Sequence, residues 1–134
     1  MKWILNLLED CREREKRQAE FYRTLAVEAE GRGDLAASER LNALLADEQH
    51  HLSRVTARLL ELGGAPRDLP APLEEGLTLE AWEEEARNRE REEVVWYEGL
   101  LTESVDDTTR GLLQEILESE IHHARELGGK WMSA

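Results

Sequence analysis

The chain has 134 residues, 40% of them hydrophobic and 35% charged, with a formal net charge of −13. This length suits one domain, residues 1–134, with a core of its own; the charge argues against nucleic acid, whose phosphates would be repelled, and is compatible with attracting cations. Cys11 is the only cysteine, which rules out an internal disulfide and a Cys-rich metal module; without a run of about 18 apolar residues no membrane span is expected, and with no signal-peptide pattern the setting expected is the cytoplasm.

Rich in Leu, Ala, Glu and Arg, with only three prolines, the composition favours long amphipathic helices. Residues 2–30 read as a first helix, with Ile4, Leu8, Cys11, Glu15, Tyr22, Leu25 and Ala29 recurring on one face. "GRGD" (31–34) breaks the chain, and Asp34 is a plausible N-cap. A second helix is expected over about 35–62, with Leu41, Leu44, Leu45, Glu48, His51, Leu52, Val55, Leu59 and Leu62 inward, closed by "GGAP" (63–66). Residues 63–78 hold all three prolines and little helical pattern. Thr78 could cap a third helix over about 79–104, with Trp82, Ala86, Glu90, Glu93, Tyr97 and Leu100 or Leu101 along one side. "VDDTT" (105–109) reads as a turn. A fourth helix over about 109–128 carries Leu113, Ile116, Leu117, Glu120, His123, Ala124 and Leu127, and "GG" (128–129) closes it. Trp3, Trp82, Trp96 and Trp131 read as core or interface anchors.

Short links make helices one and two, and helices three and four, antiparallel hairpins, about 2–62 and 79–128. The linker 63–78 can span roughly 50 Å at about 3.3 Å per residue, more than the length of the helix before it. The fold class expected is therefore all-α, a four-helix bundle with a long crossover between helices 2 and 3. A link of this length could also exchange between subunits, so a homodimer is expected.

The inner stripes carry an anomaly. Glu15, Glu48, Glu90 and Glu120 fall where periodicity places core residues. Burying an ionised carboxylate costs several kcal/mol or more without a compensating charge, and the stripes offer no nearby lysine or arginine. All four glutamates lie close to the expected helix midpoints, so in a bundle they would meet at one level. All four histidines of the chain sit in "DEQHH" (47–51) and "SEIHH" (119–123). Positions i and i+3 share a helix face, so Glu48 pairs with His51 and Glu120 with His123, whereas His50 and His122 point elsewhere. One glutamate from each of two helices and E-x-x-H from each of two others is a ligand set for two bridged metal ions. Carboxylate with imidazole suits iron or manganese and can hold zinc. Two such ions would offset the four carboxylates.

The halves repeat. "EKRQAEFYRTLA" (15–26) matches "EREEVVWYEGLL" (90–101), with an aromatic-Tyr pair at the same offset, Phe21-Tyr22 and Trp96-Tyr97. Each is followed by a hairpin and E-x-H-H, at Glu-to-Glu spacings of 33 and 30. This reads as a duplicated helical hairpin with a pseudo-twofold axis through the metal pair.

This order, with Tyr seven residues after each lone Glu, resembles the rubrerythrin-like branch of the ferritin-like diiron-carboxylate proteins over about residues 10–127. The resemblance implies a ferritin-like four-helix bundle with Glu15, Glu48, His51, Glu90, Glu120 and His123 as metal ligands. It adds Glu93, three residues after Glu90, as a further labile carboxylate; Gln18 occupies that place in the first helix. Tyr22 and Tyr97 match tyrosines that hydrogen-bond to ligand carboxylates. Rubrerythrins proper also carry a C-terminal rubredoxin domain with four cysteines, which are lacking here, so electrons would come from another protein or directly from a reductant. The chain is also shorter than a cage-forming ferritin and lacks an evident fifth helix.

The function expected is that of a diiron oxidoreductase reducing peroxide, activating dioxygen or oxidising ferrous iron, with an external electron donor. The alternatives are iron storage or delivery in a homodimer or larger homo-oligomer, and a non-enzymatic acidic helical interaction module. A hydroxylase is possible by family analogy, with no substrate pocket legible. Residues 12–17 and 83–92 read mostly as solvated charged faces, and Cys11 as a buried small hydrophobe.

Overall fold

A computed structural model of the chain describes residues 2–70 and 74–128. Trp131, Gly129 and the linker positions 71–73 lie outside them. The described residues form four helices and no strand: α1 Lys2–Arg32, α2 Leu35–Glu61, α3 Trp82–Leu100 and α4 Asp107–Gly128. None of these helices is long and apolar enough to cross a membrane. The chain divides into two compact units, Met1–Leu79 and Glu80–Ala134.

In the first unit, α1 packs on α2. Side-chain pairs run in opposite directions along the two helices: Glu30 meets Asn42 at 3.2 Å, Glu15 meets His51 at 2.9 Å, and Arg12 meets Thr56 at 2.9 Å. The hairpin is thus antiparallel. Its turn is built from "GRGD". α1 continues two residues past the expected end, and Gly33 then takes a φ of +71°, a conformation that L side chains rarely adopt. The reversal lets the Asp34 N–H reach the carbonyl of Ala29 at 3.0 Å, satisfying a helix-end acceptor. Asp34 then caps α2, its Oδ1 accepting from the Ala37 N–H at 3.1 Å. The most buried apolar residues are Leu8, Cys11, Phe21, Tyr22, Leu25 and Ala29 on α1 and Leu41, Leu44, Val55 and Leu59 on α2, all 3% exposed or less. Leu52 and Leu62 are only half-buried. At the far end Gly64 lies so close to Leu59 that a Cβ there would sit 2.7 Å from its Cδ1. Any larger residue there would have to displace the buried Leu59 side chain.

In the second unit, α3 packs on α4, again antiparallel: Leu101 pairs with Arg110 and Glu90 with His123. Three boundaries differ from the sequence reading: α3 ends at Leu100, short of the expected 104 or so, and the starts of α3 and α4 also move. α3 starts at Trp82, later than expected, and its N-cap is Ala81 with φ +56° and no side-chain cap bond. Thr78 therefore does not cap it. The backbone reverses at Ala81 instead, and Trp82 enters the helix already buried at 4% exposure. α4 starts earlier than expected, because Asp106 caps it: its carboxylate accepts from the Thr109 N–H at 3.0 Å and from the Thr109 hydroxyl at 2.7 Å. "VDDTT" is thus partly turn and partly first helical turn. Trp3 is 45% exposed, and Trp96 is partly exposed.

Candidate metal centre

Each hairpin brings together its own E…E-x-x-H set. In the first, Glu15 comes from α1, and Glu48 and His51 come from successive turns of α2. One donor atom from each of these three residues lies within 4.8 Å of the other two. Glu15 and Glu48 are wholly buried and His51 is 6% exposed. His51 turns Nδ1 toward Glu15 Oε1 at 2.9 Å. In the second, Glu90 comes from α3, and Glu120 and His123 from α4; their donor atoms also lie within 4.8 Å of one another. Glu90 and Glu120 are wholly buried and His123 is 3% exposed. His123 Nδ1 lies 3.3 Å from Glu120 Oε1 and 3.5 Å from Glu90 Oε1. In the first half the ring nitrogen is hydrogen-bonded to the lone glutamate, whereas in the second it lies between the lone glutamate and Glu120, slightly nearer the latter.

The i+3 spacing accounts for the Glu–His pairs. Glu48 and His51, like Glu120 and His123, project from one face of their helix. His50 and His122 are exposed. Glu93, one turn along α3 from Glu90, is 7% exposed, and Gln18, in the equivalent place on α1, is 3% exposed. Tyr22 and Tyr97 are both wholly buried. Tyr22 packs against Phe21 with ring centroids 5.2 Å apart, and Tyr97 against Trp96 at 5.1 Å.

The chemistry of these donor sets fits a metal ion. Each half offers two carboxylates and one imidazole nitrogen in a volume closed to bulk water. Ionised carboxylates so placed need a counter-charge, and a divalent cation with oxygen and imidazole ligands supplies it.

One expectation about counter-charge is corrected. The stripe near Glu15 does contain an arginine. Arg12, one turn before Glu15, is 8% exposed rather than part of a solvated face. Its charge is engaged elsewhere. Nη1 donates to both oxygens of Glu9, at 3.0 and 3.1 Å, and to the carbonyl of Arg67 at 3.0 Å, while Nε donates to the Thr56 hydroxyl at 2.9 Å. Arg67 returns its own Nε to Glu9 at 3.3 Å and its backbone N–H at 3.4 Å. This network ties the start of the crossover segment to α1 and α2. Sequence reasoning missed it, although the i,i+3 spacing of Glu9 and Arg12 on the face of Glu15 was a usable signal. Cys11, between them in sequence, is buried.

No family model matches the sequence, and neither does any curated protein. Among solved structures, the chain is similar to the bacterioferritin BfrA of Mycobacterium tuberculosis. The match has a TM-score of 0.84 at 23% identity and covers 96% of this chain and 83% of that one. At that identity the likeness speaks for the fold, and it agrees with the all-α reading of the sequence. Four helices without a strand among the described residues, matched over nearly the whole chain, give this protein the ferritin-like four-helix-bundle fold.

Proposed function

We propose that the two donor sets form one dinuclear metal centre in a single ferritin-like domain, and that the protein is an iron-dependent redox or iron-handling protein. The observation that carries this reading is the pair of buried Glu–Glu–His sets, one per hairpin, each with its donor atoms within 4.8 Å of one another. The ferritin-like fold, shared with a bacterioferritin, supports it. Glu15, Glu48, His51, Glu90, Glu120 and His123 would hold the ions. Glu93 would be a further carboxylate able to move on and off its ion. Tyr22 and Tyr97 would fix carboxylate orientation.

Two ferrous ions would supply the two electrons that O–O cleavage of peroxide takes. The chain's own residues hold the geometry and exclude bulk water, so that the charges act in a medium less polar than water. An external donor would return the electrons. On this reading the substrates are peroxide, dioxygen or ferrous iron, and the setting is cytoplasmic. Storage or delivery of iron in a homodimer or larger assembly is the second reading, favoured by the bacterioferritin likeness.

Metal content per chain, in protein purified without chelator, tests the centre. About two irons are expected, because the ligand set is that of a dimetal carboxylate site, with loss of both in Glu48→Ala/Glu120→Ala. Manganese or zinc at the same stoichiometry would keep the centre and remove the iron chemistry. No metal in either protein, with unchanged melting, would leave an acidic helical module. Peroxide turnover with an added reductant, against retention of a mineral core, separates the two readings of function.

A further inference from the structure

The crossover segment does not leave the first hairpin where α2 ends. Gly64 lies against Leu59 and Leu5, Arg67 is tied to Glu9 and Arg12, and Leu69 and Pro70 stand beside Glu13, Lys16 and Arg17. The points of contact advance along α1, so the segment runs in the same direction as that helix. Between Leu69 and Pro70 on one side and the turn of α1 that carries Glu13, Lys16 and Arg17 on the other, it leaves a half-open cavity of about 150 Å³. None of these five residues belongs to the donor sets or to the Glu9–Arg12 network.

The walls of this cavity are mostly carbon. Leu69, half-buried, and Pro70 are apolar, and Lys16 and Arg17 offer aliphatic stems with a charge at each tip. Lys16 Nζ lies 3.2 Å from Glu20. Arg17 is exposed and makes no hydrogen bond or ion pair among the described residues. An anion can approach here although the chain is acidic overall, because the charge is unevenly spread. Residues 80–128 hold 15 acidic and five basic side chains, whereas residues 2–70 hold 13 and 11. As for size, an engineered apolar cavity of about 150 Å³ takes up one benzene ring.

We propose that this cavity binds a single-ring aromatic carboxylate. The ring enters between Leu69, Pro70 and the stems of Lys16 and Arg17, where a guanidinium over its face adds attraction. The carboxylate stays at the open side, within reach of the two cations. Glu13 repels any second negative charge, so the site favours a monoanion over a dianion. The cavity belongs to the first hairpin alone and works without a metal.

Benzoate is the probe, titrated into the full chain both as purified and after chelation, with binding followed by calorimetry and by the amide shifts of residues 13–17 and 69. A dissociation constant on the order of 1 mM is expected for so small a ligand, the same with and without chelation. Benzylamine, with the same ring and the opposite charge, should not bind. Arg17→Gln should weaken benzoate about fivefold, as loss of an exposed ion pair does. Leu69→Asp should abolish binding, and Glu13→Gln should tighten it. All three positions are exposed or half-buried, and circular dichroism and melting check that the variants fold. Benzylamine binding as well as benzoate would overturn the site, as would no saturable binding of benzoate, or an affinity unchanged in both Arg17→Gln and Leu69→Asp. Benzoate lost on chelation would also overturn it, since the carboxylate would then be held by a metal. The chelated protein tests the cavity apart from the dimetal reading, so either can fail while the other stands.

Discussion

The two hairpins carry the same order of candidate ligands on otherwise different sequences. At a fixed offset of 75 residues, Glu9, Arg12 and Glu15 in α1 correspond to Glu84, Arg87 and Glu90 in α3. Glu15 and Glu90 are equally buried. The flanking pair is not equivalent. Glu9 and Arg12 are buried and joined to Thr56 and Arg67, whereas Glu84 is exposed and Arg87 half-exposed. The reason lies in the partners. The first hairpin is followed by a crossover segment whose Arg67 closes over Glu9. The α4 position that corresponds to Thr56, counted from Glu48 and Glu120, is Gly128, which has no hydroxyl. An i,i+3 ion pair buries itself only when the remaining donors and acceptors are met. The repeated motif thus has the same candidate donors in both halves and differs around them, at Gln18 against Glu93, Phe21 against Trp96, and in the burial of Arg12 against Arg87.

The sharpest way to break the symmetry of the donor sets is to remove the metal. If both sets share a dinuclear centre, chelation should lower stability by about 4 kcal/mol relative to protein in metal roughly a thousandfold above the dissociation constant. Calorimetric melting with and without chelator measures this, and a melting curve indifferent to chelator would sink the shared centre. Next in size, Arg12→Met should cost about 3 kcal/mol, because it leaves the buried Glu9 carboxylate without its main partner. Arg87→Met should cost less, about 1 kcal/mol, because Arg87 is only half-buried and Glu84 beside it is exposed. Urea titration of the two variants side by side checks the difference; equal losses would mean the shells are alike after all. The helix caps give a smaller, symmetric effect: Asp34→Ala and Asp106→Ala should each cost about 1 kcal/mol, with the loss confined to the hairpin concerned in amide exchange. Smallest is Ala81→Gly. It relieves a left-handed alanine at the start of α3 and should stabilise by up to about 1 kcal/mol. A destabilised variant would show that the Ala81 side chain contributes more than its backbone strain costs.

Much of the architecture was legible in the sequence because helical period and turn chemistry are local. Asp34 after "GRG", the close of α2 at "GGAP" and the inward face of α2 all follow from residues within a turn or two of one another. The candidate donors were legible for the opposite reason. Glu15, Glu48, Glu90 and Glu120 contradict the pattern around them, and their repeat picks them out from many acidic neighbours. The start of α3 was not legible, since it depends on Ala81 adopting a left-handed backbone that no propensity favours and that seats Trp82 in the core. The start of α4 was misplaced by two residues because "VDDTT" reads as a turn, and only the bonds from Thr109 to Asp106 make its second half the first turn of the helix.

What the sequence determined by itself was the set of helices, their pairing into hairpins and the residues that break the apolar stripes, because each is written in a period of a few residues. What only the tertiary structure decided was the fate of charges that look alike along the chain. Arg12 and Arg87 occupy the same place in the repeat. One is buried and one is not, because the groups that satisfy Arg12 come from Thr56 and Arg67, far along the chain, and burial of a charge depends on every partner being present at once.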